Sequence, residues 1–96
     1  MAASPLRPDE SALIGRWEET PHRVVADEVT TRIQSLVAES LIKIAGSGWE
    51  TLYRDPNDQR LWELTYPYGG WHGGGPPALQ NVTLDYASRK YSAVGL

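Results

Sequence analysis

The feature that most constrains the fold is an apolar stripe of helical spacing in the first half of the chain. Its members, three or four residues apart, are Val29, Ile33, Leu36, Val37, Leu41 and Ile44. This spacing predicts one amphipathic helix over about residues 27–45. Asp27 is a suitable N-cap, and Lys43 and Gly46 suit the end of such a helix. A single helix of this kind must pack its apolar face against a sheet.

The rest of the chain supplies the strands of that sheet. Residues 49–54 and 60–66 flank a polar, turn-rich tetrapeptide and predict a β-hairpin. Within the second strand, Leu61, Glu63 and Thr65 should point to one face, and Trp62, Leu64 and Tyr66 to the other. Further strands are predicted at residues 12–19, either unbroken or with a bulge at Gly15, and at 23–26, 78–87 and 89–94. The predicted class is α+β, an antiparallel sheet of about four to five strands with one helix on one face.

Length and composition are typical of one soluble domain. The 96 residues include no cysteine, which excludes disulfides and thiolate chemistry. A net charge of −3 argues against a nucleic-acid binder, because such proteins need a basic patch. Neither a signal peptide nor a membrane span of about 20 apolar residues is apparent. We expect a cytoplasmic protein with a flexible arm at residues 1–11 and one α+β domain at 12–96.

A loop rich in glycine and proline follows the hairpin. Its string of histidine and three glycines, His72 to Gly75, is similar to the strings that line oxyanion holes in lipases. The chain has no G-x-S-x-G nucleophile elbow to accompany it, so we predict no catalytic residues. Three glycines could also form an amide nest for phosphate, although neither usual phosphate-loop pattern is present. A small anion- or nucleotide-binding domain that uses His72 to Pro77 remains the alternative function.

No metal or cofactor site is predicted. The two histidines, His22 and His72, are far apart in sequence, whereas metal sites of small proteins combine several histidines or cysteines at short spacing. Glu18 and Glu19 are neighbours on a predicted strand and should point to opposite faces, so their spacing does not make an acid–base pair.

The aromatic residues fall into two groups. Trp17, Trp49 and Trp62 lie in predicted strands, where packing in the core is the expected role. Trp71 lies in the glycine loop near Tyr68, where no regular element directs it inward. It either folds back as a plug of the core or projects as a binding anchor, and the sequence leaves both roles open.

The segment 48–79 resembles the Immunity protein 27 (Imm27) family, which accompanies bacterial polymorphic toxins. The family pattern is G-W, L-Y-x-D-P, a turn of D-G-R type, W-E-x-T-Y-P and a loop ending in H-G-G-G-P-P-x-L. The matching residues are Gly48, Trp49, Leu52, Tyr53, Asp55, Pro56, Arg60, Trp62, Glu63, Thr65, Tyr66, Pro67, His72, Gly73, Gly74, Gly75, Pro76, Pro77 and Leu79. The N-terminal half is also similar, so the resemblance covers about residues 13–91. Gln59 stands where the turn pattern has glycine, and residues 68–71 replace a more polar run.

The resemblance implies an immunity protein rather than an enzyme. Such a protein binds a cognate toxin domain directly and neutralises it by covering its active site or a nearby essential surface. The expected contacts are Tyr68, Trp71 and His72 on the glycine loop. Four acidic residues would steer a basic toxin, such as a nuclease: Glu18, Glu19, Glu28 and Glu39. A structural role in shaping the loop is expected for Trp62, Glu63, Tyr66, Pro67, Gly73, Gly74, Gly75, Pro76 and Pro77. The oligomeric state is left open.

Overall fold

The fold is built on an antiparallel sheet. The structure, a computed structural model, describes residues 5–15, 17–19, 24–26, 28–48, 50–67 and 75–91. The sheet strands are β1 Ala12–Ile14, β4 Ile42–Ser47, β5 Glu50–Arg54, β6 Leu61–Thr65 and β7 Ala78–Val82. They lie in the order β1-β7-β6-β5-β4, and every neighbouring pair is antiparallel. The remaining strands, β2 Trp17–Glu19 and β3 Val24–Ala26, form a separate hairpin. The predicted α+β class is confirmed.

The helix predicted over about residues 27–45 ends earlier than its apolar stripe. Helix α1 spans Glu28–Ser35 and continues as a wider, π-helical segment over Leu36–Ser40. The N–H of Leu41 donates to the carbonyl of Leu36 at 2.8 Å, and Leu41 itself is extended. The expectation that Lys43 and Gly46 end the helix is therefore wrong, because both lie in β4. Asp27, the predicted N-cap, lies outside the described residues.

The apolar stripe predicted too long a helix because its last two members, Leu41 and Ile44, pack in different cores. Leu41 packs in the same core as Ile33 and Leu36. Ile44 belongs to β4 and packs in the core on the other side of the sheet. The alternation of Ile42 and Ile44 about Lys43 is typical of a strand, and β-branched residues favour strands over helices. The register of β4 with β5 shifts between Lys43 and Ala45, which is a β-bulge at the sheet edge.

A second helix replaces the strand predicted near the C-terminus. Strand β7 ends at Val82, and α2 spans Leu84–Lys90. The hydroxyl of Thr83 caps this helix by accepting a hydrogen bond from the N–H of Tyr86 at 3.1 Å. The strand predicted over 78–87 is therefore confirmed at 78–82 and wrong at 84–87, and the strand predicted over 89–94 is wrong at 89–91, the part that the structure describes. Residues 92–96 lie outside the described ranges.

The sheet is covered by one helix on each face. The α1 face holds the larger core, formed by Leu6, Leu13, Ile33, Leu36, Leu41, Trp62, Leu64 and Leu79. The α2 face holds a smaller one, in which Leu52, Ala87 and Tyr91 are buried beside Leu61 and Val82. The predicted alternation in β6 is confirmed, since Trp62 and Leu64 face α1 while Leu61 faces α2. The expectation of helical cover on one face only was incomplete.

Strand β1 and the following hairpin are separated at Gly15, which lies at a crowded crossing rather than at the predicted bulge. Its N–H donates to the carbonyl of Pro77 at 2.8 Å. A Cβ at this position would collide with Thr30 Oγ1 and would come within 2.7 Å of the Pro77 oxygen. Only glycine therefore lets β1, the start of α1 and the exit of the glycine loop approach so closely.

Residues 5–11, the described part of the predicted flexible arm, are docked on the α1 face. Leu6 is buried in the main core. The carboxylate of Glu10 accepts two hydrogen bonds from Arg32, at 2.7 and 2.8 Å. The same guanidinium donates to the carbonyl of Pro5. An apolar anchor and a bidentate ion pair hold this segment, so the expectation of a loose arm is revised for these residues.

Candidate functional site

The turn between β5 and β6 is organised by Asp55. This residue is 2% exposed, and its carboxylate accepts a hydrogen bond from the N–H of Asn57 at 2.8 Å. Its carbonyl accepts from the N–H of Gln59, and its own N–H donates to the carbonyl of Arg60. Gln59 has a φ of +66°, the left-handed conformation that glycine adopts most easily. Gln59 stands where the resemblance leads us to expect glycine. The backbone hydrogen bonds of the turn form nevertheless.

Arg60 connects this turn to the N-terminal segment. Its guanidinium donates to the carbonyl of Glu10 at 2.7 Å and to that of Arg7 at 2.8 Å. It also forms an ion pair with Asp58 at 2.6 Å and lies over the ring of Trp62, 4.8 Å from its centroid. The arginine of the family pattern therefore acts as a clamp, and its donors are directed at this chain's own backbone.

Glu63 is the centre of a polar cluster beneath α2. It is 3% exposed, and one carboxylate oxygen accepts from the hydroxyl of Tyr86 at 2.9 Å. The other oxygen accepts from Tyr91 at 2.7 Å and is paired with Lys90 at 2.8 Å. Lys90 also pairs with Glu50 at 2.7 Å. These contacts fasten a seven-residue helix, too short to be stable alone, onto β5 and β6.

The protonation states in this cluster support that fastening role. Burial opposes ionisation of Glu63, but hydrogen bonds from Lys90, Tyr91 and Tyr86 outweigh it and lower the pKa of Glu63. Burial and the bond to the carboxylate raise the pKa of Tyr91. Burial of Lys90 works in the opposite sense, yet its carboxylate partners raise the pKa of its ammonium group. The carboxylate of Glu63 therefore faces the ammonium group of Lys90 and accepts the hydrogen bond of the Tyr91 hydroxyl.

The exit of the glycine loop is part of the scaffold. Gly75 has a φ of +77°, and Gly75, Pro76 and Pro77 are all buried. Pro77 leads into β7 and accepts the hydrogen bond from Gly15. Gly73, Gly74 and the three loop residues proposed as contacts, Tyr68, Trp71 and His72, lie outside the described residues. Their placement stays a prediction.

The four acidic residues predicted to steer a partner lie in two separate elements, two in the helical segment and two in β2. Glu28 and Glu39 are both exposed and lie at opposite ends of the helical segment that starts with α1. Eleven residues of helix span about 16 Å. Glu18 and Glu19 lie in β2, where the backbone alone is described, in the hairpin that precedes α1.

A groove of about 240 Å³ lies between this helical segment and the end of β6. It is lined by Ile33, Gln34, Val37, Leu64, Tyr66, Gly75 and Pro77. Pockets for drug-sized ligands usually measure about 300–1,000 Å³, so this groove suits a single side chain better than a nucleotide. It brings the loop exit at Gly75 next to the exposed side of α1.

Sequence reasoning missed the partners of Glu63. Tyr86 and Lys90 are four residues apart, and Ala87 and Tyr91 repeat that spacing on a neighbouring line of the helix. Thr83 before them is a suitable N-cap. These signals predict a helix, but nothing local pairs it with a glutamate more than twenty residues earlier.

Neither a metal site nor a membrane-spanning helix is found among the described residues. Within the ranges that the structure describes, no group of three or more His, Cys, Asp or Glu side chains is placed to hold a metal ion. In the same part of the chain, no helix is long and apolar enough to cross a membrane.

Comparison with known proteins gives one assignment. No curated protein and no solved structure matches the chain. A family model described as Immunity protein 27 matches residues 19–83, more than half of the chain. The match includes the Asp55 turn, the Arg60 clamp, Glu63 and the buried exit of the glycine loop, the features that the fold uses most heavily. The chain belongs to the Immunity protein 27 family.

Proposed function

We propose that this protein is an immunity protein that binds a cognate bacterial toxin domain directly and neutralises it without catalysing a reaction. The observation that carries this proposal is the family match over residues 19–83. Direct binding requires an exposed surface of about 600–1,000 Å² on this protein, with a few anchoring side chains near its centre.

The internal use of the motif residues supports a binding role. Asp55, Arg60 and Glu63 all direct their charged groups to this chain's own backbone or side chains. A hydrolase or a phosphate-binding protein would instead keep such groups free to meet a ligand. The residues that remain for a partner are the exposed ones around this scaffold.

The proposed toxin-binding surface runs from the exposed side of α1 to the glycine loop. Glu28 and Glu39 provide negative charge on the helix, and the groove near Gly75 can receive an apolar side chain. Tyr68, Trp71 and His72 are the proposed loop anchors, and Glu18 and Glu19 are proposed to extend the negative field. Such a surface suits a basic toxin domain, because complementary charge accelerates association.

The decisive experiment uses the neighbouring gene. The C-terminal domain of its product is expressed in bacteria with and without this protein, and growth and complex formation are measured. We expect this protein to relieve the growth arrest and to elute with the toxin domain in size-exclusion chromatography. A toxin domain that remains lethal, with the two proteins eluting separately, would overturn the proposal.

A matched pair of variants tests the proposed surface. Glu28→Gln combined with Glu39→Gln removes one exposed acidic charge from α1 and one from the π-helical segment that continues it. We expect association with a basic toxin to slow several-fold at low salt. Asp9→Asn combined with Asp85→Asn removes the same charge from exposed positions elsewhere. Equal association rates for both double variants would exclude α1 from the steering surface.

The alternative function has its own test. Phosphate and nucleotides are titrated against the protein while tryptophan fluorescence is recorded. Saturable binding below millimolar concentration would favour an anion site in the loop at His72 to Pro77 and would count against the immunity proposal.

A further inference from the structure

The end of the sheet on the α2 side carries a row of side chains around an arginine. Ile42 lies opposite Arg54, Arg54 opposite Leu61, and Leu61 opposite Val82. Directly opposed residues of antiparallel strands project to the same face. Leu61 and Val82 pack beside α2, which identifies that face. We name Ile42, Arg54, Leu61 and Val82 the arginine strip.

The arginine strip is left partly open by α2. This helix has seven residues and is therefore only about 10 Å long. Ile42 is 42% exposed. Leu61 and Val82 are half-buried. The row therefore presents one exposed isoleucine and two half-buried aliphatic side chains, with the arginine between them.

Arg54 lies in the middle of this row, between Ile42 and Leu61. Its Nε is shielded from water and has no hydrogen-bond acceptor, and its guanidinium forms no ion pair with any described residue. Arg32 and Arg60, by contrast, hold Glu10 and Asp58. A shielded donor without an acceptor carries a free-energy penalty, and such groups in native proteins call for a missing partner.

The arginine strip adjoins the proposed toxin-binding surface. Glu39 is exposed at the end of the helical segment, and Ile42 follows it by three residues. Three residues of chain span at most about 11 Å. One toxin domain can therefore contact the acidic side of α1 and pass over the edge of the sheet to Arg54.

We propose that the arginine strip is a second contact surface for the same toxin and receives a segment that carries a carboxylate next to apolar side chains. The proposal rests on the proposed immunity function. A guanidinium matches a carboxylate in charge and in planar geometry, and arginine is enriched among residues that dominate binding energy. The aliphatic neighbours would exclude water from that ion pair.

The test measures the dissociation constant (Kd) of the complex between the full chain and the toxin domain identified by the neighbouring gene. We expect Arg54→Gln to raise Kd at least tenfold and to weaken the dependence of Kd on salt. Lys43→Gln is the matched control, because Lys43 is exposed on the same edge strand but pairs with Tyr53, which faces α1. We expect its Kd to stay within twofold of wild type.

A second variant keeps the test independent of any structural role of Arg54. Ile42→Glu introduces a carboxylate directly opposite Arg54 on the same face, so it should supply the missing partner from within the chain. We expect its melting temperature to equal or exceed that of wild type while Kd rises at least tenfold.

The outcomes separate this inference from the proposed function. Wild type and Ile42→Glu binding the toxin equally well would overturn the inference and leave the immunity function intact. Failure of wild type to bind the toxin would overturn both. A wild-type dimer in analytical ultracentrifugation that Ile42→Glu dissociates would assign the strip to self-association and overturn the inference as well.

Discussion

Glu63 and Tyr91 are joined by a hydrogen bond of 2.7 Å across 28 residues of sequence, in a fully buried setting. Tyr91 follows directly after α2, and Glu63 is in the middle of β6. The bond therefore fixes the end of a short helix to the centre of the sheet. Lys90 and Tyr86 converge on the same carboxylate, so three side chains of the C-terminal element share one partner in the sheet.

We expect Glu63→Gln to lower the free energy of unfolding by about 3 kcal/mol. The substitution removes a buried charge and leaves Lys90 with Glu50 as its one described counter-charge. Breaking one side of a buried pair costs about 3–5 kcal/mol, and the remaining pair with Glu50 keeps the loss at the lower end of that range. Urea denaturation followed by tryptophan fluorescence measures the change. Asp85→Asn is the control, since its ion pair with Arg89 is exposed and should contribute little. Equal losses in the two variants would argue against a fastening role for Glu63.

Stability should fall in acid partly through Glu10. The hydrogen bonds from Arg32 lower the pKa of Glu10 from its usual 4.5 to about 2. A carboxylate with a depressed pKa in the folded state stabilises the protein above pH 4.5, and that stabilisation is lost as pH falls toward 2. We expect Glu10→Gln to be less stable than wild type at pH 7 and the difference to shrink between pH 4.5 and 2. Denaturation midpoints at several pH values would show this, and a difference that does not depend on pH would contradict it.

Gly15→Ala should destabilise the fold by at least about 2 kcal/mol, because the new Cβ would overlap Thr30 and the backbone of Pro77. Gly46→Ala is the matched control on β4, where the nearest atom to a new Cβ is the Glu50 oxygen at 3.9 Å. We expect that control to leave the melting temperature unchanged or slightly higher. Thermal unfolding of both variants side by side decides the question, and similar melting temperatures would refute the crowding at Gly15.

Gln59→Gly should stabilise the protein by about 1 kcal/mol. Left-handed backbone costs a residue with a side chain about 1–2 kcal/mol, while glycine adopts it freely. Part of the gain is offset by loss of the hydrogen bond from Gln59 to the carbonyl of Pro56. Gln59→Ala loses that bond too but keeps the Cβ, so the difference between the two variants isolates the backbone effect. Chemical denaturation should rank glycine above alanine, and the reverse order would be incompatible with a positive φ.

Trp71→Ala distinguishes the two roles that the sequence leaves open for this residue. If Trp71 is an anchor, as we propose, the toxin complex should weaken by at least about 2 kcal/mol while the melting temperature stays near that of wild type. Isothermal titration calorimetry and thermal unfolding together give both values. A large drop in melting temperature with unaltered affinity would identify a core plug instead.

The sequence predicted those parts of the fold that depend on local periodicity. The hairpin of β5 and β6 follows from the polar turn between two β-prone segments, and the shared facing of Trp62 and Leu64 follows from the two-residue period of a strand. The end of α1 did not follow, because Leu41 and Ile44 fit the helical spacing by chance and in fact serve opposite cores. Short apolar runs are ambiguous between helix and strand when only spacing is considered.

The site was less predictable because its relationships are long-range. Glu63 was expected to shape the loop, yet its partners lie in α2, an element read as strand. Arg54 was not singled out in the sequence, because an arginine on a strand is common. The structure adds that its buried Nε has no hydrogen-bond partner. The family resemblance named Asp55, Arg60 and Glu63, which build the scaffold, but it did not name Arg54.

The bulge between Lys43 and Ala45 has a consequence for how copies of this protein behave when crowded. Strand β4 is the longer of the two outer strands, and an unbroken row of free amides there would invite another chain to continue the sheet. The shifted register twists that row, and the charge of Lys43 lies along it. Growth of fibrils by strand-to-strand stacking is therefore disfavoured at this edge of the sheet.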